Sequence, residues 1–379
     1  MEQIVGKTPW LTLHVASPLQ SETPLALLRQ GRVTPTCNLY VRNNQDLAGH
    51  MTLSAAPSDW PLTVYRPGGA AIRLELADLG RYPYTELEMV LQCSGNSRRR
   101  FSGSSPVSGA PWGDGAVANV VFGGVRLADV FADLGLADAG LTGEGARFLT
   151  ARAACSEADE EHWGPFERSV PLAELDDAVL AFTLNGEPLP ALHGGPLRLA
   201  LPGFYGVNNL KWLKSLRFTG EESPSHFQRD KYRLPKARLE PGRPFCATLE
   251  NSLPSWRMRL KSLLWRPLVG ETLVAGPTEF GGVAWTDGRS RVSRVAVSTD
   301  GGRTWHDADL NTPESPYAWT EWSLTLPLAA GEPEVWVRAF DDAGNAQPLD
   351  ADEGWNPAGY EWGSAERVRL AVFEGPQTA

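Results

Sequence analysis

An apolar run that ends in a thiol and then turns sharply is the feature that most constrains this chain. It reads Met89-Val90-Leu91-Gln92-Cys93-Ser94-Gly95-Asn96, followed by Ser97 and three arginines, Arg98, Arg99 and Arg100. Glu86 to Leu91 has the composition of a strand, and Ser94-Gly95-Asn96 supplies the residues that stop one in a tight turn. A thiol at that point can face a cleft, where guanidinium charge favours the thiolate, the form that binds a soft metal. The competing reading is a buried structural cysteine followed by a solvated basic patch, since free cysteine is a common core residue.

Length and charge narrow the classes. A chain of 379 residues is expected to form two or three domains, and 38 glycines with 30 prolines suit a turn-rich, β-containing protein. The net charge of −10 argues against nucleic acid as a partner. Any anionic substrate must then be drawn by a local group of arginines and not by the global field. The four cysteines, Cys37, Cys93, Cys155 and Cys246, are scattered and form no C-x-x-C pair. That disfavours zinc and iron–sulfur sites and fits a reduced compartment better than a disulfide framework. With no export signal at Met1 to Lys7 and no apolar run long enough to span a membrane, the expected location is the cytoplasm. A trimmed mature form would instead be periplasmic.

Along the chain, residues 1 to about 30 read as a surface arm with a short helix around Pro24 to Gln30. Asn38 to Asn44 reads as a strand entering a polar turn. Val125 to Leu134 carries apolar residues at Leu127, Val130, Phe131 and Leu134, the spacing of an amphipathic helix stopped by Gly135. The acidic stretch Glu157 to Glu161 reads as a solvated loop, with His162 beside it more often a bystander than a catalyst. Asn185-Gly186 is a turn by its own chemistry. From Thr248 the pattern changes to short strands and turns, with Val335, Val337 and Ala339 alternating against Trp336, Arg338 and Phe340. That spacing predicts an immunoglobulin-like sandwich.

Together, L-Q-C-x-G-N-x-R at Leu91 to Arg98 and Trp112-Gly113-Asp114-Gly115-Ala116 resemble the molybdenum domain of the sulfite oxidase family, which includes eukaryotic assimilatory nitrate reductases. The resemblance extends through Tyr40-Val41-Arg42-Asn43-Asn44, His193-Gly194-Gly195-Pro196-Leu197-Arg198 and Pro202-Gly203-Phe204-Tyr205-Gly206 to Lys211-Trp212. In the C-terminal part it rests on Ser298 to Trp305 and on Trp355-Asn356-Pro357-Ala358-Gly359. It implies an α+β fold: a mixed α/β molybdopterin-binding domain (1–234), a linker (235–247) and an all-β immunoglobulin-like dimerisation domain (248–379).

The resemblance also implies roles. Cys93 would ligate molybdenum, while Arg42, Arg98, Trp112 and Tyr232 would surround the substrate. Asn43, Asn44, His193, Arg198, Gly206, Asn208 and Lys211 would hold the molybdenum–molybdopterin cofactor. The residue types suit such a role, because Gly206 permits close backbone approach and His193, Arg198 and Lys211 can neutralise a phosphate. Three positions depart from animal and plant patterns. Asn44 stands for histidine, while Asn208 and Ala358 each stand for arginine. The implied function is oxidation of sulfite to sulfate by a homodimer that passes electrons to a separate acceptor, a cytochrome being one candidate. The departures keep open a reductase of nitrate or of an S- or N-oxide on the same cofactor. A non-catalytic molybdopterin-binding protein is the third reading.

Overall fold

The computed structural model describes residues 4–45, 57–103, 105–136 and 145–375. The predicted strand runs Tyr84–Gln92 and pairs antiparallel along its whole length with Val117–Arg126. Val179–Leu184 joins the far side of that partner and carries Glu187–Pro188 and Arg198–Ala200. Asn185 and Gly186, at φ 52° and 81°, make the turn between Val179–Leu184 and Glu187–Pro188. Positive φ at both central residues matches the twist of the strands that such a turn joins.

A second five-stranded sheet runs in the order Ala71–Glu75, Pro61–Tyr65, Leu213–Thr219, Phe148–Ala153, Glu167–Pro171. The two sheets share a core in which Leu180 and Leu199 meet Leu62, Leu149 and Leu216. On the first sheet's other face, Met89, Leu91, Val120 and Phe122 pack on Leu39, Tyr40 and Trp112. Burial on both faces explains why Met89-Val90-Leu91 is apolar without alternation. The predicted helix is Leu127–Asp133, burying Leu127, Val130 and Phe131, while Val125 and Arg126 still belong to the preceding strand.

Two expectations are corrected. The acidic stretch is not a loop but the exposed helix Glu157–Trp163. Ser156 Oγ caps it by accepting from the amide of Asp159 (3.1 Å), and the carboxylates of its first turn face the positive end of the helix dipole. Nor is the N-terminal arm a surface appendage. Its strands Thr12–Val15 and Gln20–Glu22 form a sheet with Val41–Arg42, and Ser21, Glu22 and Thr23 are buried. Glu22 accepts hydrogen bonds from the amides of Gly113 (2.9 Å) and Gly115 (2.8 Å) and pairs with His14 Nε2 at 2.7 Å.

The C-terminal part is a sandwich of two antiparallel four-stranded sheets, as its alternation predicts. One orders Lys261–Arg266, Gly276–Trp285, Thr320–Leu328, Asp309–Asn311; the other orders His306–Asp307, Val292–Ser298, Glu334–Asp341, Glu366–Arg369. Val335, Val337 and Ala339 point into its core. Trp265, Trp285 and Trp319 from this sandwich share an apolar cluster with Val90, Val117 and Tyr205. Trp285 Nε1 also donates to Gln92 Oε1 at 3.0 Å, directly behind Cys93. The strand that ends in the thiol is thereby held from both sides.

Candidate active site

Cys93 closes the strand as its sequence suggests. Its amide donates to Ala116 O (2.9 Å), its carbonyl accepts from the amide of Asn96 (3.0 Å), and Sγ lies 3.4 Å from the amide of Gly95. Asn96 Oδ1 accepts from the amide of Ala116 (2.9 Å), locking the turn to the neighbouring strand. Behind it, Ser97 (φ 65°) bonds Asp114 and the buried Lys261 of the sandwich, each at 2.6 Å. Beyond the thiol opens an internal cleft of about 70 Å³. Tyr40, Arg42, Asn43, Asn44, His193, Arg198, Gly206, Lys211 and Tyr232 line it, together with Cys93.

The side chains on this wall are an excess of cations. Lys211 Nζ donates to Leu192 O (2.6 Å) and Asn43 Oδ1 (2.7 Å), while Arg198 donates to His193 O (2.8 Å) and Asn209 O (3.1 Å). His193 Nε2 lies 2.5 Å from the ammonium of Lys7, a buried residue of the N-terminal arm that no sequence signal marked. Burial and mutual repulsion lower Lys211 and His193 well below their ordinary pKa values. Burial brings Lys7 down to about 7 and Arg198 to about 10. Such a cluster is short of an anion, and a bound phosphate would offset the repulsion.

Arg42 forms the far wall. Its Nη2 donates to Asn44 Oδ1 (2.8 Å) and Tyr232 OH (3.1 Å), and Tyr232 OH donates to Asn44 Oδ1 (2.9 Å). Asn44 accepts two hydrogen bonds here, which a neutral amide oxygen with two lone pairs can do. Burial opposes the charge of Arg42, but the phenols of Tyr232, Tyr360 and Tyr40 and the thiol of Cys93 keep its pKa raised. The Arg42–Asn44–Tyr232 triangle is a partition. Its three members line both the inner cleft and a second, outer chamber of about 570 Å³.

Arg98 enters that outer chamber and does not line the wall around Cys93. It threads a slot that only glycines leave open. A Cβ on Gly109 would stand 2.2 Å from its Nη1, one on Gly359 2.5 Å from its Cγ, and one on Gly95 2.6 Å from its Nη2. Nη1 donates to Ala110 O (3.0 Å), and the guanidinium carbon lies 5.5 Å from the Tyr360 ring centre. Its buried Nε has no hydrogen-bond partner among the described residues. The other two arginines diverge: Arg99 bonds Pro111 O at the surface, while Arg100 pairs with Asp114 (2.7 Å) and Glu366 (2.6 Å).

Two sequence candidates, Trp112 and Asn208, lie elsewhere, and so does the bystander His162. Trp112 is fully buried and lines neither space; it backs the Gly95 turn, with His14 edge-on at 4.9 Å. An indole of that size is placed by core packing. Asn208 is likewise buried away from both spaces, accepting from Arg168 Nε (3.1 Å) and Nη2 (2.9 Å) and donating to Ser255 O (2.8 Å). Its function is to satisfy a buried guanidinium that faces the Tyr232 ring at 5.7 Å. His162 sits exposed on its helix against Trp163. Sequence reasoning missed Lys7, Tyr40 and Arg168. Tyr40 was within reach, two residues before Arg42 in the predicted strand.

Whether a molybdenum–molybdopterin group suits this chain is answered by the donor set. The inner cleft offers one thiol and a set of unneutralised cations on backbone-close walls, and no carboxylate lines it among the described residues. A soft metal ligated by thiolate, carrying an organic phosphate, has that complement of needs. Among the described residues no group of three or more His, Cys, Asp or Glu side chains is placed to hold a metal. Cys93 is therefore the protein ligand this cleft can offer.

Comparison with known proteins agrees. Residues 49–227 match the oxidoreductase molybdopterin binding domain, and residues 254–369 match the Mo-co oxidoreductase dimerisation domain. Sulfite oxidase of Gallus gallus is 33% identical over 93% of this chain and 76% of its own length. Mitochondrial sulfite oxidase of Homo sapiens is 33% identical over 96% of this chain, which spans 66% of that relative's length. Nitrate reductase [NAD(P)H] of Hordeum vulgare is 31% identical, and this chain spans 43% of it. Among solved structures, the sulfane dehydrogenase SoxCD from Paracoccus pantotrophus superposes with a TM-score of 0.76 at 26% identity, covering 96% of this chain and 87% of that one. The chain belongs to the sulfite oxidase family of molybdopterin-dependent oxidoreductases.

Proposed function

We propose that this protein oxidises sulfite to sulfate at a molybdenum–molybdopterin group in the inner cleft, with Cys93 as the protein ligand to the metal, and passes the electrons to a separate acceptor. The observation that carries the reading is the shared wall. A cleft with a thiol and unneutralised cations adjoins a chamber holding Arg98, and buried Arg42 stands between them. When bound, the group supplies two-electron oxygen-atom transfer between water and substrate.

The chain's own residues do the rest. Lys211, Arg198 and Lys7 attract the cofactor's phosphate, and neutral His193 adds a hydrogen-bonding ring nitrogen. Asn43 orients Lys211. Arg42 and Arg98 hold the substrate oxyanion by charge-assisted hydrogen bonds. Tyr232 OH accepts from Arg42 (3.1 Å) and gives its proton to Asn44 (2.9 Å), which fixes the guanidinium that meets the oxyanion. Trp112 supports the turn from behind. The match of residues 254–369 to a dimerisation domain supports a homodimer. A cytochrome as acceptor, units at 1–234 and 248–379 joined by 235–247, and a cytoplasmic location complete the proposal.

Metal analysis followed by sulfite-dependent reduction of ferricyanide tests it. About one molybdenum per chain together with sulfite turnover is the expected result. Molybdenum without sulfite turnover would shift the reading to reduction of nitrate or of an S- or N-oxide. The nitrate reductase relative and the departures at Asn44 and Ala358 favour that alternative. Absence of molybdenum from protein made in a host that supplies the cofactor would end both readings.

A further inference from the structure

The outer chamber is built for something larger than sulfite. An ion of four heavy atoms needs on the order of 50 Å³ at about 10–15 Å³ per water-sized group. The chamber holds about 570 Å³. Its inner end presents two guanidiniums, Arg42 and Arg98, while Arg233 is already paired with Glu222 at 2.7 Å and Lys231 is exposed at the rim. Asp230, also on its wall, pairs with His226 at 2.8 Å. The rest of the wall mixes polar side chains such as Gln20, Ser108 and Asn356 with an apolar and aromatic stretch at Phe227, Ala358 and Tyr360, and Trp163 and Phe245 also line the chamber. Trp163 stacks on His226 (5.2 Å, 27°) and Tyr360 on Tyr232 (5.1 Å, 19°), so two rings have fixed faces there.

The position of Ala358 is informative. It lines the chamber, packed on the Phe227, Tyr232 and Tyr360 cluster, and its neighbour Gly359 lies against the aliphatic stem of Arg98. Beside two cations there is thus an apolar corner. A small hydrated dianion gains nothing from such a surface, while a substrate with a carbon arm gains its burial.

Building on the sulfite reading, we propose that the substrates include organic sulfinates, R–SO2−, whose two oxygens meet Arg42 and Arg98 and whose R group fills the corner at Ala358. A sulfinate keeps the sulfur lone pair of sulfite and replaces one oxygen by carbon. The reaction balances as R–SO2− + H2O → R–SO3− + 2 H+ + 2 e−. One S–O bond forms with an oxygen from water, the C–S bond is retained and sulfur loses two electrons. Both protons go to solvent, and the electrons go to the same external one-electron acceptor.

The test uses the cofactor-loaded protein with ferricyanide and compares sulfite, methanesulfinate and benzenesulfinate. Mass spectrometry of sulfonate formed in 18O-labelled water follows the product. Calorimetric binding of benzenesulfonate gives a readout independent of turnover. The expected result is oxidation of both sulfinates with label in the sulfonate, and measurable benzenesulfonate binding. Ala358→Arg, which fills the corner with a third cation, lowers kcat/KM for sulfinates by about tenfold or more while improving it for sulfite. Phe245→Ala at the outer wall raises KM for benzenesulfinate more than for methanesulfinate. Sulfite turnover with neither sulfinate oxidation nor benzenesulfonate binding overturns the inference and leaves the sulfite reading standing. A molybdenum-loaded protein that oxidises none of the three compounds overturns both. Activity confined to a sulfane sulfur also overturns the inference.

Discussion

The inner cleft and the outer chamber share three residues and differ in almost everything else. The cleft has a cation-rich wall, with Arg198 and Lys211 on it and Lys7 buried behind neutral His193, and these charges repel one another through a buried environment. The chamber pairs two guanidiniums with a mixed wall, polar at Gln20, Ser108 and Asn356 and apolar around Ala358 and Tyr360. A wall of unneutralised charge demands one particular kind of occupant, a permanent anion, and stays strained without it. An apolar wall beside a fixed anion grip sets no such demand and selects by size and shape. The difference separates a cofactor pocket from a specificity pocket within one fold.

The largest way to break this contrast is Cys93→Ser. The thiol is small and its backbone bonds are independent of sulfur, so the fold survives while turnover is abolished. Circular dichroism and steady-state rates check both halves, and retained activity would remove the metal-ligand assignment. Next is Gly109→Ala, which places a methyl where Arg98 Nη1 runs, at a residue with φ +101°. Displacing one charge-assisted contact to the anion costs about 1.5–3 kcal/mol, roughly 10- to 100-fold in kcat/KM. Cofactor content is expected to stay unchanged, since Gly109 lines the chamber and not the cleft. A loss of molybdenum in this variant would show that the two spaces are not separable.

Smaller effects probe the support around the cleft. Glu22→Ala leaves the amides of Gly113 and Gly115 unpaired behind the Cys93 turn and is expected to cost about 1–3 kcal/mol of stability, read by urea denaturation. Lys7→Met addresses the charge itself. With a folded pKa of about 7 against an ordinary 10.5, the unfolded chain binds more protons between those values. Stability of the cofactor-free protein is therefore greatest from this group above pH 10.5 and is lost as pH falls to about 7. Replacing Lys7 flattens that slope, and cofactor binding, which favours protonated lysine, removes it. A slope identical in the variant and the parent would assign the pH dependence to other groups.

Features written in short-range chemistry were readable in advance. They include the strand that ends at Cys93, the Asn185-Gly186 turn, the helix on Leu127, Val130 and Phe131, and the alternation of Val335, Val337 and Ala339. Each depends on residues a few positions apart, where turn preference and periodicity act. The acidic helix was readable too, through Ser156 and the carboxylates that follow it, but the charge density obscured its cap.

What the sequence by itself determined is the set of chemical parts: a thiol at a strand end, arginines at Arg42 and Arg98, and phosphate-seeking side chains at His193, Arg198 and Lys211. The tertiary structure decided which part faces which space. It sent Arg98 through a slot made by Gly95 of its own turn together with Gly109 and Gly359, and brought Lys7 from the N-terminal arm onto His193. It also withdrew Trp112 and Asn208 into the core and set Ala358 beside the anion grip. Those outcomes depend on contacts between segments far apart in the chain, for which local propensity and periodicity leave no trace, and on close packing that admits a side chain only where its neighbours leave room.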